Sequence, residues 1–147
     1  MAMTGSAIAG LPKLAALLRG LAGVPSRCAR PLADALTEEL RSEFTSEQDP
    51  YGVAWAPLKP STVRRKGGNT VILYRTGTTG AACYAAPGGG AGVRIVAGGA
   101  AVWHQRASGS RPARPVLPDR GLPPKWRAIV ADVCGAEFAK ALGRSSR

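Results

Sequence analysis

An α+β fold is what this sequence predicts: two N-terminal helices and one C-terminal helix packed on a small antiparallel sheet of about four strands. Three observations predict it. Apolar residues recur at helical spacing near both ends of the chain. Short β-rich runs joined by Gly-rich connections fill the middle. No helical stretch separates consecutive strand candidates, which points to a meander and away from βαβ crossovers. At 147 residues the chain reads as a single domain spanning 1–147, with an extended loop at 46–70 and a Pro/Arg-rich segment at 106–124.

The elements follow in order. "AIAGLPKLAALLRGLAG" places Leu14, Leu17, Leu18 and Leu21 at helical spacing, and Gly20 and Gly23 end the helix. It carries little charge and reads as a core or interface helix, since Lys13 and Arg19 are too few for a membrane-surface face. "SRCARPLADALTEELRSEF" is the clearest helix. Ala29, Leu32, Ala33, Leu36, Leu40 and Phe44 line one face, and Pro31 is expected in the first turn, where a missing N–H costs little. "DPYGVAWAPLKPSTVRRKGG" then holds three prolines, Tyr51, Trp55 and four basic residues. Its aromatics argue for order, because disordered segments are poor in them. Strand candidates follow at Val71–Tyr74, in "TGAACYAAP", in "GVRIVAGG" and in "AAVWHQ". "SRPARPVLP" favours an extended chain. The last helix begins at Pro123 and Pro124, with Trp126, Ile129, Val130, Val133 and Phe138 facing inward.

Composition narrows the function. The apolar share is 45%, yet only 5% of residues are aromatic, so the core should be thin and subunit contacts are expected to complete it. The net charge of +11 is uneven. Residues 1–60 hold six basic and six acidic residues, whereas 61–147 hold fourteen basic residues and only Asp119, Asp132 and Glu137 as acids. Such a basic half suits a nucleic-acid backbone or an acidic protein surface. Cys28, Cys83 and Cys134 form no CxxC pair, and with one histidine no zinc set is expected. The sequence therefore suggests free thiols, no signal peptide, no membrane span, no cofactor and a soluble protein made in a cytoplasm.

Catalysis has little material to work with. Glu38 and Glu39 are neighbours on a helix and point about 100° apart. His104 has no nucleophile motif beside it, and a Cys83–His104 pair is a remote reading. Carboxylates are sparse after residue 49, which leaves a hydrolase or metal-dependent nuclease without ligands. The expectation is a non-enzyme. Arg64, Arg65, Lys66, Arg106, Arg111 and Arg114 are candidates for contact with phosphates or an acidic partner. No helix-turn-helix, zinc finger or RNP-type strand accompanies them, so the nucleic-acid alternative is non-specific binding.

The order of motifs carries more information than any one of them. A D-P-x-G-x-x-W-x-P-L core lies at Asp49, Pro50, Gly52, Trp55, Pro57 and Leu58, followed by Thr62 and Lys66. A Leu-x-x-T-G step falls at Leu73, Thr76 and Gly77, an H-Q-x-G element at His104, Gln105 and Gly109, and an R-P-F-L-like element at Arg114, Pro115 and Leu117. Over about residues 36–120 this set resembles the virion morphogenesis family of tailed phages, which is related to the Mu-like tail completion and head–tail joining proteins. Ala100 stands where an aromatic is usual, Arg106 where an apolar residue is usual and Val116 where Phe is usual, and the loop between the last two elements is altered.

The resemblance implies a structural virion protein at the neck or the head-proximal end of the tail, working as a homo-oligomeric ring, most often a hexamer. Its implied partners are further copies of itself, neighbouring connector and tail-tube proteins, and packaged double-stranded DNA in the channel. On that reading Asp49, Pro50 and Gly52 make a turn after the helix. Tyr51, Trp55 and Leu58, with Trp103, anchor a docking arm on the sheet or on a neighbour. Arg64, Arg65 and Lys66 sit at the arm's tip. The alternative, that Trp55 closes its own subunit's core, stays open.

Overall fold

The fold was obtained as a computed structural model, which describes residues 5–145 and the side chains of 11–143. Three long helices dominate it: α1 (Gly5–Ala22), α2 (Val24–Ser46) and, at the far end of the chain, the last helix (Pro124–Ser145). Between them lie a helical turn α3 (Pro60–Arg65), a shorter one α4 (Thr78–Ala81), strands β1 (Cys83–Pro87) and β2 (Val93–Ala97), and a turn α5 (Ala101–His104). The C-terminal helix is therefore α6. The architecture is α+β, but the described sheet has two strands where the sequence suggested about four.

α2 organises the core. Its buried face carries Cys28, Ala29, Ala33, Leu36 and Leu40, close to the stripe that periodicity predicts, and it packs against both α6 and β1. Its start differs from expectation. Gly23 alone separates α1 from α2, Pro25 occupies the first turn, and Pro31 sits inside the helix. Pro31 is tolerated on the exposed face, where water can solvate the carbonyl one turn earlier that loses its N–H partner.

The end of α2 is built by long-range bonds as well as local ones. Glu47 takes left-handed backbone angles (φ 53°), and Gln48 N–H reaches back to Glu43 O at 3.1 Å. A non-glycine residue there is strained. The Glu47 carboxylate accepts Ile72 N–H at 2.6 Å, and its carbonyl accepts Trp55 N–H at 2.8 Å, which together hold the conformation. Asp49 then makes the expected turn. Its Oδ1 accepts the N–H groups of Tyr51 and Val53, and Gly52 supplies the positive φ of 83° that closes a short hairpin.

β1 and β2 pair antiparallel, with Cys83 opposite Ala97 and Pro87 opposite Val93. Cys83 and Ala85 point into the core. Thr37 of α2 covers the other edge of β1: its Oγ1 accepts Ala85 N–H at 3.0 Å and donates to Ala33 O at 2.8 Å. A side chain thus takes the hydrogen bond that a third strand would otherwise make.

Two expected strands are absent for identifiable reasons. In 71–74, Ile72 spends its N–H on Glu47, and Leu73 lies at φ 53°, which breaks an extended run. In "AAVWHQ", Gly98 N–H bonds Ala82 O at 2.9 Å and Gly99 turns with φ 58°. A Cβ on Gly98 would stand 2.9 Å from that same oxygen, so this close approach needs glycine. The chain then leaves the hairpin as a helical turn with Ala101 fully buried.

α6 lays Trp126 into the core, with Ile129, Val130, Val133 and Cys134 half-buried. Phe138, expected inside, is exposed. Farther along, Val24 and Cys28 of α2 meet Ala141 and Cys134 of α6, and burial pushes the Cys28 thiol up. Trp126 Nε1 donates to Glu43 Oε1 at 2.8 Å inside this core. Burial pushes the Glu43 carboxyl up from 4.5 to about 7, even though the Trp126 bond pulls the other way.

Two outcomes follow from this core. Trp55 is 6% exposed and meets Phe44 edge-on at 5.4 Å, so Trp55→Ala costs about 3–5 kcal/mol in urea unfolding. A loss below about 1 kcal/mol would show that the ring is dispensable to the core. For Glu43, the native state holds a proton that the unfolded chain has released between pH 4.5 and about 7. The stability linked to that proton is full below the unfolded value and is lost as pH rises through the folded one. Relative to Glu43→Gln, the wild type should lose on the order of 2–3 kcal/mol across that window. Parallel pH profiles for the two proteins would refute the assignment.

Candidate functional site

Beside the core lies an open cavity of about 480 Å³. Its walls come from α3, residues 73–75, the α4 turn, His104 at the end of α5 and residues 110–114. Six cationic side chains line it: Lys59, Arg65, Lys66, Arg75, Arg111 and Arg114. No carboxylate does. Leu58, Leu73, Tyr74, Ala100 and Pro112 supply apolar surface between the charges.

Local chemistry sets each piece. Pro60 starts α3 after the extended Lys59, which places Arg64 and Arg65 in the helix's last turn. Gly67 and Gly68, both with positive φ, turn the chain back, and Lys66 Nζ donates to Val71 O across that turn. On the opposite wall, Arg114 N–H donates to His104 O at 2.7 Å. Gln105 Oε1 accepts the N–H groups of Val116 and Leu117, fixing the Pro-rich segment against α5.

Arg114 forms part of the floor. It is 5% exposed, and its guanidinium donates to Ala56 O at 2.9 Å and Pro57 O at 3.1 Å. Burial lowers its pKa. Beside it, His104 Nδ1 and Arg111 Nε are buried without a hydrogen-bond partner among the described residues. Burial first, then the charges of Arg111 and Arg114, hold the His104 imidazole below its usual value, which favours its neutral form.

The expected contact residues divide. Arg65, Lys66, Arg111 and Arg114 meet at the cavity, whereas Arg64 and Arg106 are exposed outside its lining. Two of the five guanidinium N–H groups of Arg114 are engaged by this chain's own carbonyls. Lys59 and Arg75 join the cavity without having been singled out; no sequence spacing links position 75 to position 111.

Of the aromatic and apolar anchors, Trp55 is packed in this chain's own core, with Nε1 donating to Pro115 O at 3.0 Å. Tyr51 OH accepts Arg120 N–H at 2.9 Å and has the carbonyls of Arg120 and Gly121 within donor reach, while the Arg120 guanidinium stacks 4.6 Å from its ring. Leu58 is half-buried on the cavity wall. Trp103 is different, being 69% exposed beside the exposed Val102. A further apolar surface lies on α1, where Leu11, Leu14 and Leu18 are exposed, and on α6, where Phe138 and Leu142 are.

Cys83 is buried, and burial pushes its thiol up, which disfavours the nucleophilic thiolate. Among the described residues, no group of three or more His, Cys, Asp or Glu gathers to hold a metal, and no helix is long and apolar enough to cross a membrane.

A family model matches part of the chain. The model of the phage virion morphogenesis family covers residues 11–86, from α1 through the Asp49 turn and α3 into β1. No curated protein and no solved structure matches the chain. The matched stretch supplies Lys59, Arg65, Lys66 and Arg75 of the cavity, and the elements at His104 and Arg114 lie beyond it. With more than half of its 147 residues matched, the chain belongs to the phage virion morphogenesis family.

Proposed function

We propose that this protein is a structural subunit of the neck or the head-proximal end of a phage tail, where it completes the joint between tail and head. Family membership gives a part in phage morphogenesis; the position and the mode of assembly are the proposal. The subunit acts in a homo-oligomeric ring, with a hexamer as the first expectation, between connector and tail-tube proteins. Its work is binding, not catalysis.

The observation that carries this reading is the apolar surface left exposed on the long helices. Leu11, Leu14 and Leu18 recur along one stripe of α1, and Phe138 and Leu142 are exposed on α6, which packs against α1. Large apolar side chains clustered on a surface mark an interaction site. A cyclic ring joins one face of each subunit to a different face of the next, and the exposed Val102–Trp103 turn offers a second apolar feature. The positive excess in residues 61–147 suits a ring through which DNA passes, since such a channel needs charge and no sequence reading.

A second reading, non-specific nucleic-acid binding by the free chain, rests on the same charge excess. It expects duplex affinity that falls steeply with added salt.

Two measurements test the assembly reading. Leu14 is half exposed, so Leu14→Asp should leave the unfolding free energy within about 0.5 kcal/mol of wild type while abolishing assembly in sedimentation velocity. Unchanged assembly would remove α1 from the interface. Deleting the gene in a particle-producing strain should leave full heads and free tails apart in electron micrographs. Intact joined particles would overturn the neck assignment.

A further inference from the structure

The cavity has a property that ring formation does not explain. It gathers six cations and no carboxylate, and among the described residues none of the six makes an ion pair. Two of its lining residues, Arg111 and His104, have a buried nitrogen (Nε and Nδ1) without a hydrogen-bond partner among the described residues. Buried polar atoms are normally satisfied, and an exception at a cavity marks a place for a ligand atom. Like charges held together also repel, and an anion between them relieves that repulsion.

We propose that this cavity binds an acidic peptide segment of a protein partner, with a carboxylate seated against Arg111 and His104 and an adjoining apolar side chain resting on Leu58, Leu73 and Tyr74. The mixed lining favours a peptide over a nucleic acid. A DNA backbone presents regularly spaced phosphates on a convex rod, with no apolar group to fill a wall of leucines and a tyrosine. A volume of about 480 Å³ suits a few side chains. An Arg guanidinium presents a planar fork that matches a carboxylate. The inference stands on the cavity alone and is independent of the ring.

The single histidine supplies the readout, because its ring resonances are unambiguous. The full chain is titrated with the blocked peptide acetyl-Glu-Leu-Asp-Leu-Glu-amide, with its Gln/Asn counterpart, and with a short DNA duplex. The acidic peptide should bind saturably and raise the His104 pKa, since a nearby carboxylate favours imidazolium. Arg111→Gln should weaken that binding about tenfold or more. The uncharged peptide should bind far more weakly. If Arg111→Gln does not fold, the exposed pair Lys59→Gln and Arg75→Gln decides, and unchanged affinity in that double variant overturns the proposal. No saturation, or equal binding of the uncharged peptide, also overturns it. A duplex that displaces the peptide and reproduces the His104 shift assigns the cavity to phosphate instead.

Discussion

The structure depends on two irregular segments that hold each other. Trp55, in one, donates its indole N–H to Pro115 O in the other. Arg114, in the second, donates to Ala56 O and Pro57 O in the first. Neither segment has a ladder of its own to satisfy its carbonyls, and proline removes donors from both. Each therefore uses the other's side chain. A buried guanidinium is costly unless its donors are used, and here two backbone oxygens take two of its five N–H groups in place of a carboxylate. Breaking one side of this exchange would strand polar groups on the other.

The cavity is a by-product of that exchange. Once Arg114 pins residues 56–57, Leu58 and α3 lie opposite residues 110–114, and the basic side chains of both segments face one space. The charges converge because the backbone is held for another reason. Arg114 gives two of its N–H groups to the backbone, and Arg111, three residues earlier, has a buried Nε without a hydrogen-bond partner among the described residues. Two arginines of the same Pro-rich stretch thus take unlike roles, which composition and net charge do not distinguish.

The core itself is thin, as small side chains require. Along α2 the buried positions are largely Ala and Leu, so the backbones of α2, α6 and β1 approach closely. Thr37 exploits this approach by bonding the strand's backbone directly. Two tryptophans supply much of the remaining bulk, and each brings an N–H that must be satisfied: Trp55 uses a carbonyl and Trp126 uses Glu43. The second choice couples the core to pH, because burial raises the Glu43 carboxyl, whose Oε2 has no hydrogen-bond partner among the described residues. The apolar residues that this small core cannot cover, on α1 and α6, are left at the surface.

The sequence by itself determined what depends on neighbours along the chain. The period of Ala33, Leu36 and Leu40 makes α2 a helix with a known inner face. Asp49 and Gly52 make a turn whatever lies beyond them. The ordered motifs were enough to indicate the family, and the free cysteines match their spacing. Tertiary structure decided the rest. Val71–Tyr74 and "AAVWHQ" have strand composition, but short apolar runs suit a strand or a helical turn equally. Their fates rested on a distant Glu47 carboxylate and on the approach of Gly98 to Ala82. Likewise, nothing local separates an arginine whose guanidinium binds this chain's own backbone from one whose buried Nε has no hydrogen-bond partner among the described residues. That distinction arises only when residues 56 and 114 meet, because burial and hydrogen-bond satisfaction belong to the packed chain and not to any segment of it.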